Sequence, residues 1–187
     1  MADVVSIVEA PRSAPLAQAG DGRLRPLGPL ARFSLRLPEA AVPAAGAALG
    51  IGLTMPINRA GAEGERSALR LGPDEWLILA PEAGADSVPL ALNDAISDGV
   101  FSLVDIGHRQ TGILLEGLDA AAIINALCPL DLDAGAFPIG MATRTVFGKA
   151  EIVLWRTGAE RFHIEVWRSF APYVWAVLTE IGREYPM

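Results

Sequence analysis

The sequence predicts an α+β fold: largely antiparallel sheet with helices packed on it, built from two similar strand–helix–hairpin–helix units. Three observations predict it. Short runs alternate apolar and polar residues at period two, the spacing of half-buried strands. Helix-length segments rich in Ala and Leu separate those runs. The whole grammar then recurs at an offset of about 80 residues, too long for a solenoid repeat and right for a duplicated α+β unit.

Taken in order, residues 1–30 carry Pro11, Pro15, Pro26 and Pro29 without hydrophobic period, and read as an extended Pro/Ala/Gly-rich arm. Residues 31–187 read as one domain of two halves, about 31–99 and 100–187. In the first half, Phe33, Leu35 and Leu37 alternate with Ser34 and Arg36, which makes a strand. Pro38 and Glu39 open an Ala-rich helix to Leu49, and the charge-free run to Asn58 completes it with a turn and a strand. Ser67–Leu71 and Glu75–Ala80 form a hairpin turned at Gly72-Pro73-Asp74, where Gly and Pro supply the turn conformation. A helix over Ser87–Ser97 closes the half.

The second half repeats this with strands at Ser102–Ile106 and Thr111–Glu116, a helix at Leu118–Leu127 ending before Pro129, and a strand at Thr143–Phe147. Ala150–Arg156 and Arg161–Trp167 make its hairpin, and Ser169 is expected to cap a last helix over Phe170–Arg183, with Pro172 tolerated in the first turn. Phe33 to Ala41 aligns with Ile113 to Ala121. Likewise Arg66 to Leu71 followed by Glu75 to Leu79 aligns with Ala150 to Trp155 followed by Arg161 to Val166.

Composition excludes several function classes. The 187 residues are 51% hydrophobic with a net charge of −7, and mean hydropathy is +0.34. That rules out disorder, and it leaves a greasy surface for a small acidic protein. The cations, fourteen Arg and the single Lys149, are scattered, which argues against a nucleic-acid partner. No basic segment precedes an apolar run at Met1–Val4, so no export signal is expected. The longest charge-free run, Ala40–Asn58, is broken by Pro and Gly, so no membrane span is expected either. Cys128 alone excludes a disulfide framework and suits a reducing, cytoplasmic setting.

The chemistry-bearing residues form no coherent catalytic set. His108, His163 and Cys128 lack metal-ligand spacing, and Cys128 follows an apolar helix as a buried thiol does. No nucleophile elbow and no phosphate-binding glycine loop is present. We therefore assign no catalytic, cofactor-binding or metal residue. Asp105, His108 and Arg109 sit together between two strands, either orienting an anionic ligand or forming a hydrogen-bonded turn, and an exposed His and Arg there also suit an interface. In Arg161–Trp167, Phe162, Ile164 and Val166 face one way and His163, Glu165 and Trp167 the other. Trp167, Arg168 beside it, and Trp175, placed off the centre of the last helix's apolar stripe, complete the candidate interface with His108 and Arg109. The facing of Trp155 depends on the hairpin loop and stays open.

Five motifs in order resemble one family: Trp76 within Arg70–Leu79, then Val104–Thr111, Cys128–Leu132, Gly148–Glu151 and Ile164–Phe170. Together they resemble the gamma subunit of heterotetrameric sarcosine oxidase, over about residues 30–185. Gly107 stands where that family commonly has Ser. The family is in turn similar to the amino-terminal part of the glycine-cleavage T-protein and its folate-binding relatives, through Asp105, His108, Gly117 and the helix from Ala120. The Lys-Gly-Cys-x-x-Gly-Gln-Glu signature of one branch of those relatives is missing, and the chain is about half a T-protein long.

The resemblance implies a T-protein-like folate-binding-domain fold and a non-catalytic gamma subunit. It further implies alpha, beta and delta partners, chiefly the large alpha subunit, in a cytoplasmic complex that demethylates sarcosine to glycine. FAD, FMN, NAD, zinc and tetrahydrofolate would belong to the other subunits, and no cofactor to this chain. The alternatives are a stand-alone folate-binding module using Asp105, His108 and Arg109, or an adaptor for another methylamine-demethylating oxidase.

Overall fold

Strand pairing and helix burial together divide the chain into two sheets, each with its own pair of helices. The computed structural model describes Leu16 and residues 22–97 and 99–185. Its strands are β1 (Leu24–Pro26), β2 (Leu30–Arg36), β3 (Arg59–Glu63), β4 (Arg66–Arg70), β5 (Glu75–Pro81), β6 (Ser102–Asp105), β7 (Gln110–Glu116), β8 (Ala142–Phe147), β9 (Ala150–Gly158) and β10 (Arg161–Trp167). The α-helices are α1 (Val42–Leu49), α2 (Ser87–Ala95), α3 (Ala120–Asn125) and α4 (Ala171–Gly182).

One five-stranded sheet runs β3-β4-β5-β2-β6 and the other β8-β9-β10-β7-β1, every pairing antiparallel. These orders are the same once the halves are superposed: β2, β3, β4 and β5 stand where β7, β8, β9 and β10 do. The duplicated unit read from the sequence is present. The leading strands are exchanged, because β1 precedes β2 yet pairs with β7, while β6 precedes β7 yet pairs with β2. A division at residues 99/100 therefore cuts the chain but not the hydrogen bonding. Along the opposite edges, β3 and β8 are stitched by the Ala60 N–H to Gly140 carbonyl bond at 2.8 Å and the Ala142 N–H to Asn58 carbonyl bond at 3.1 Å.

Each sheet buries one face under its helices. Phe33, Leu35, Trp76 and Ile78 meet Val42, Leu49, Val88 and Leu92 of α1 and α2. Ile113, Leu154, Phe162 and Ile164 meet Ile123, Ile124, Val174 and Leu178 of α3 and α4. The other faces meet each other through Leu69, Leu77, Leu79, Ile106 and Val153. Arg156 is buried on the helix side of its sheet, where it donates to the carbonyls of Phe137 at 2.9 Å and Leu132 at 3.2 Å. It thereby holds the long α3–β8 connection in place.

Several sequence expectations need correction. Residues 24–26, expected in the arm, form β1, held by the fully paired strand beside it; the arm's residues 1–15 and 17–21 lie outside the described residues. The strand expected before Asn58 is absent: Ile51 and Leu53 are buried as irregular chain, and the strand falls later, at β3. The Ala-rich helix begins as a 3-10 turn at Glu39–Ala41 and ends at Gly50, whose left-handed φ of 66° terminates it. Phe170 rather than Ser169 caps α4, and no side chain bonds there.

Candidate functional site

The inner faces of the two sheets carry polar rows, and these rows build the site. On β2 the row is Arg32, Ser34 and Arg36; on β10 it is His163, Glu165 and Trp167. Period-two alternation puts each row opposite the helix-covered face, and the second sheet then covers it.

At one end the charged groups pair with one another, while the Trp155 indole N–H beside them is buried with no hydrogen-bond partner among the described residues. Arg32 grips Glu165 with two bonds, Nε to Oε2 at 2.6 Å and Nη2 to Oε1 at 3.1 Å, and both side chains are buried. His163 Nε2 lies 2.7 Å from Glu165 Oε1, and its ring lies against Trp155, with centroids 5.7 Å apart. Burial pushes the Glu165 carboxyl up, but the Arg32 charge and the His163 contact outweigh it, so the group sits below the ordinary glutamate range. Gly112, opposite Glu165 on β7, makes room: a Cβ there would lie 2.8 Å from Leu27 Cδ1, 3.1 Å from Glu165 Oε1 and 3.2 Å from Arg32 Nη2. This cluster was invisible in sequence, where Arg32 and Glu165 are separated by more than half the chain.

At the other end the layer opens into a cleft of about 310 Å³, with walls that include Leu71, Leu77, Ile106 and Val153. Glu75 is bonded there by Arg144 and by Arg36, the latter at 3.1 Å, and Arg36 also bonds Asp74. The hydrogen bond from Arg144 holds the Glu75 carboxyl below its ordinary range, against the opposing effect of burial. Gln110 lines the cleft at 5% exposure, and its amide oxygen is buried with no hydrogen-bond partner among the described residues. Leaving such a group unpaired costs about 1–3 kcal/mol.

The candidate interface residues fall into two groups. Arg109 lies over the Trp167 ring at 4.9 Å, Arg168 Nη1 donates to the His108 carbonyl at 3.2 Å, and the Arg168 N–H donates to the Arg109 carbonyl at 2.9 Å. His108, Arg109, Trp167 and Arg168 therefore share one exposed patch at the mouth of the cleft, with Trp167 exposed at 40%. Trp175 does not join it. At 8% exposure it is in the core beside Ala171, Val174 and Leu178, because the buried stripe of α4 is rotated from the expected one toward these small and aliphatic positions. Phe170, expected in the stripe, is 41% exposed instead. Trp155 faces inward with His163 and not with Phe162, following a register shift at Arg161/Phe162.

Asp105 and Arg109 line different clefts. An Asp105 carboxylate oxygen accepts the Gly107 N–H at 2.8 Å, making a turn, and Asp105 lines a separate cleft with Phe33 and Leu103. Cys128 is free and buried, with Thr145 Oγ1 at 3.7 Å. Among the described residues, no group of three or more His, Cys, Asp and Glu could hold a metal, and no helix is long and apolar enough to cross a membrane.

Comparison with known proteins agrees with this architecture. In the heterotetrameric sarcosine oxidase from Corynebacterium sp. U-96, solved with pyrrole 2-carboxylate, one chain superposes with a TM-score of 0.80 at 27% identity, covering 87% of this chain and 84% of that one. The glycine cleavage system aminomethyltransferase T from Bartonella henselae has the same fold over 83% of this chain and 44% of its own, with a TM-score of 0.62 at 13% identity. Sarcosine oxidase subunit gamma of Corynebacterium sp. (strain P-1) is 30% identical over 162 residues, 83% of this chain and 77% of that protein. The model of the sarcosine oxidase gamma subunit family matches residues 37–184, and the chain belongs to that family.

Proposed function

We propose that this chain is the non-catalytic gamma subunit of a heterotetrameric, flavin-dependent sarcosine oxidase, supporting oxidative demethylation of sarcosine to glycine by the larger subunits. The flavins, NAD, zinc and tetrahydrofolate are held by those other subunits, in the cytoplasm. The chain docks chiefly on the large alpha subunit through the patch made by His108, Arg109, Trp167 and Arg168. A single observation carries the docking reading. An acidic chain stacks Arg109 on an exposed Trp, 4.9 Å from its ring centre, with the Arg168 guanidinium on the His108 carbonyl beside it. Trp and Arg are the residues that most often anchor interfaces. A stable subunit contact buries ~1,600 Å² or more, of which this patch would be the centre.

Co-expression with the other three subunits tests this reading. Wild-type chain is expected to co-purify with them as one flavin-containing, sarcosine-oxidising complex, and Arg109→Ala/Trp167→Ala chain to be lost from it. A double variant that assembles as wild type does would overturn the docking site. A chain that never associates with a flavoprotein would overturn the function.

A further inference from the structure

The cleft beside the docking patch has polar groups without a partner among the described residues. Gln110 is buried, its amide oxygen is unpaired, and no partner for its amide nitrogen is found among the described residues. Ser34 lines the same cleft, and its hydroxyl likewise has no partner among them. Arg109 also lines it, stacked on Trp167 and, among the described residues, without a carboxylate partner. Arg36 and Arg144 differ, since both are already engaged by Glu75. The free valences are therefore an amide needing both a donor and an acceptor, a hydroxyl, and one guanidinium. They sit in about 310 Å³ of space with an aromatic ring at the mouth.

From this we infer that the cleft is a socket for an extended segment of another subunit of the complex. That segment presents a peptide amide to Gln110 and an acidic side chain to Arg109. The inference rests on the docking reading above and specifies its partner's chemistry. A peptide group offers one N–H and one carbonyl, the complement of a Gln side-chain amide. A carboxylate completes Arg109 with a charge-assisted bond while the guanidinium stays on Trp167. Arg36 is engaged by Asp74 and Glu75 and Arg144 by Glu75, so Arg109 is the lining cation left without a carboxylate among the described residues, and it favours an acidic segment.

The test uses the assembled complex and the full isolated chain. Gln110→Leu removes the amide at nearly constant volume. It is expected to leave the isolated chain's melting temperature unchanged or raised, while dissociation from the complex accelerates about tenfold, since interface changes act mainly on off-rates. A purely structural Gln110 would instead lower the melting temperature and leave the off-rate alone. A second variant keeps the proposal exposed to failure. Ser34→Cys is alkylated with iodoacetamide and mapped by mass, free and in complex. Position 34 is expected to react at least about tenfold more slowly in the complex, as an occluded thiol does. Equal rates, or a Gln110→Leu complex that dissociates as slowly as wild type, overturn the socket. If Trp167→Ala still weakens assembly in that case, the docking site stands and only the socket falls. If Trp167→Ala has no effect, both fall.

Discussion

The two ends of the layer between the sheets are made from the same strands, yet they are finished differently. At the Arg32 end, a buried guanidinium, carboxylate and imidazole satisfy one another, and Gly112 gives up a side chain to admit them. At the Gln110 end, an amide oxygen is buried without a hydrogen-bond partner among the described residues, and Arg109 stacks on a half-exposed Trp167. The contrast teaches that burial of polar residues has two meanings within one fold. A closed network is architecture and registers the two halves against each other. A network missing its last partners is, in the proposed reading, a surface prepared for another molecule.

The largest effect should come from breaking the closed end. Arg32→Ala leaves Glu165 buried and uncompensated, and is expected to destabilise the isolated chain by about 3–5 kcal/mol in urea titration. Arg32→Met combined with Glu165→Leu should recover most of that loss, because replacing both members removes the stranded charge. Persistence of the full loss in the double variant would show that the pair does more than satisfy itself. Trp175→Ala, on the helix side, should cost a similar ~3–5 kcal/mol as a core truncation, separating it from Trp167.

Gly112→Ala sharpens the same comparison at smaller scale. The added methyl meets Leu27, Glu165 and Arg32 at once, so about 1–3 kcal/mol of destabilisation is expected from thermal unfolding. Acid should then act through the paired carboxylates. Glu165 and Glu75 are both held below the ordinary glutamate value, so the unfolded chain binds their protons first as pH falls. Their stabilisation is complete above about pH 4.3 and lost as pH drops through the lower folded values. Glu165→Gln should flatten that acid limb even though it lowers stability at pH 7. The smallest effect on stability belongs to the open end: Trp167→Ala should change unfolding of the isolated chain by less than about 0.5 kcal/mol.

How legible this was in the sequence follows from the range of each signal. Strands such as Arg161–Trp167 announce themselves by alternation, and the repeat is visible because Phe33 to Ala41 and Ile113 to Ala121 each run strand into helix. By contrast, β3 reads Arg-Ala-Gly-Ala-Glu, with no apolar period. It exists because β4 pairs with it on one side and residues 140–142 bond it on the other. Trp175 was misplaced because α4 is apolar nearly all round, so periodicity fixes a stripe but not its centre. Alternation shows that the inward face of β10 is polar, but it does not say what covers a face. Only the fold brings Arg32 to Glu165 and buries the Gln110 amide oxygen without a partner among the described residues.

We propose that the open end is where this gamma-family chain meets its complex. The direct test is to measure, for Arg109→Ala/Trp167→Ala, both the dissociation rate from the co-expressed complex and the unfolding free energy of the isolated chain. The account predicts dissociation faster by roughly a hundredfold, about 2.7 kcal/mol of lost binding, with unfolding changed by less than about 1 kcal/mol. Unchanged dissociation, or a loss of folding stability as large as the loss of binding, would contradict it.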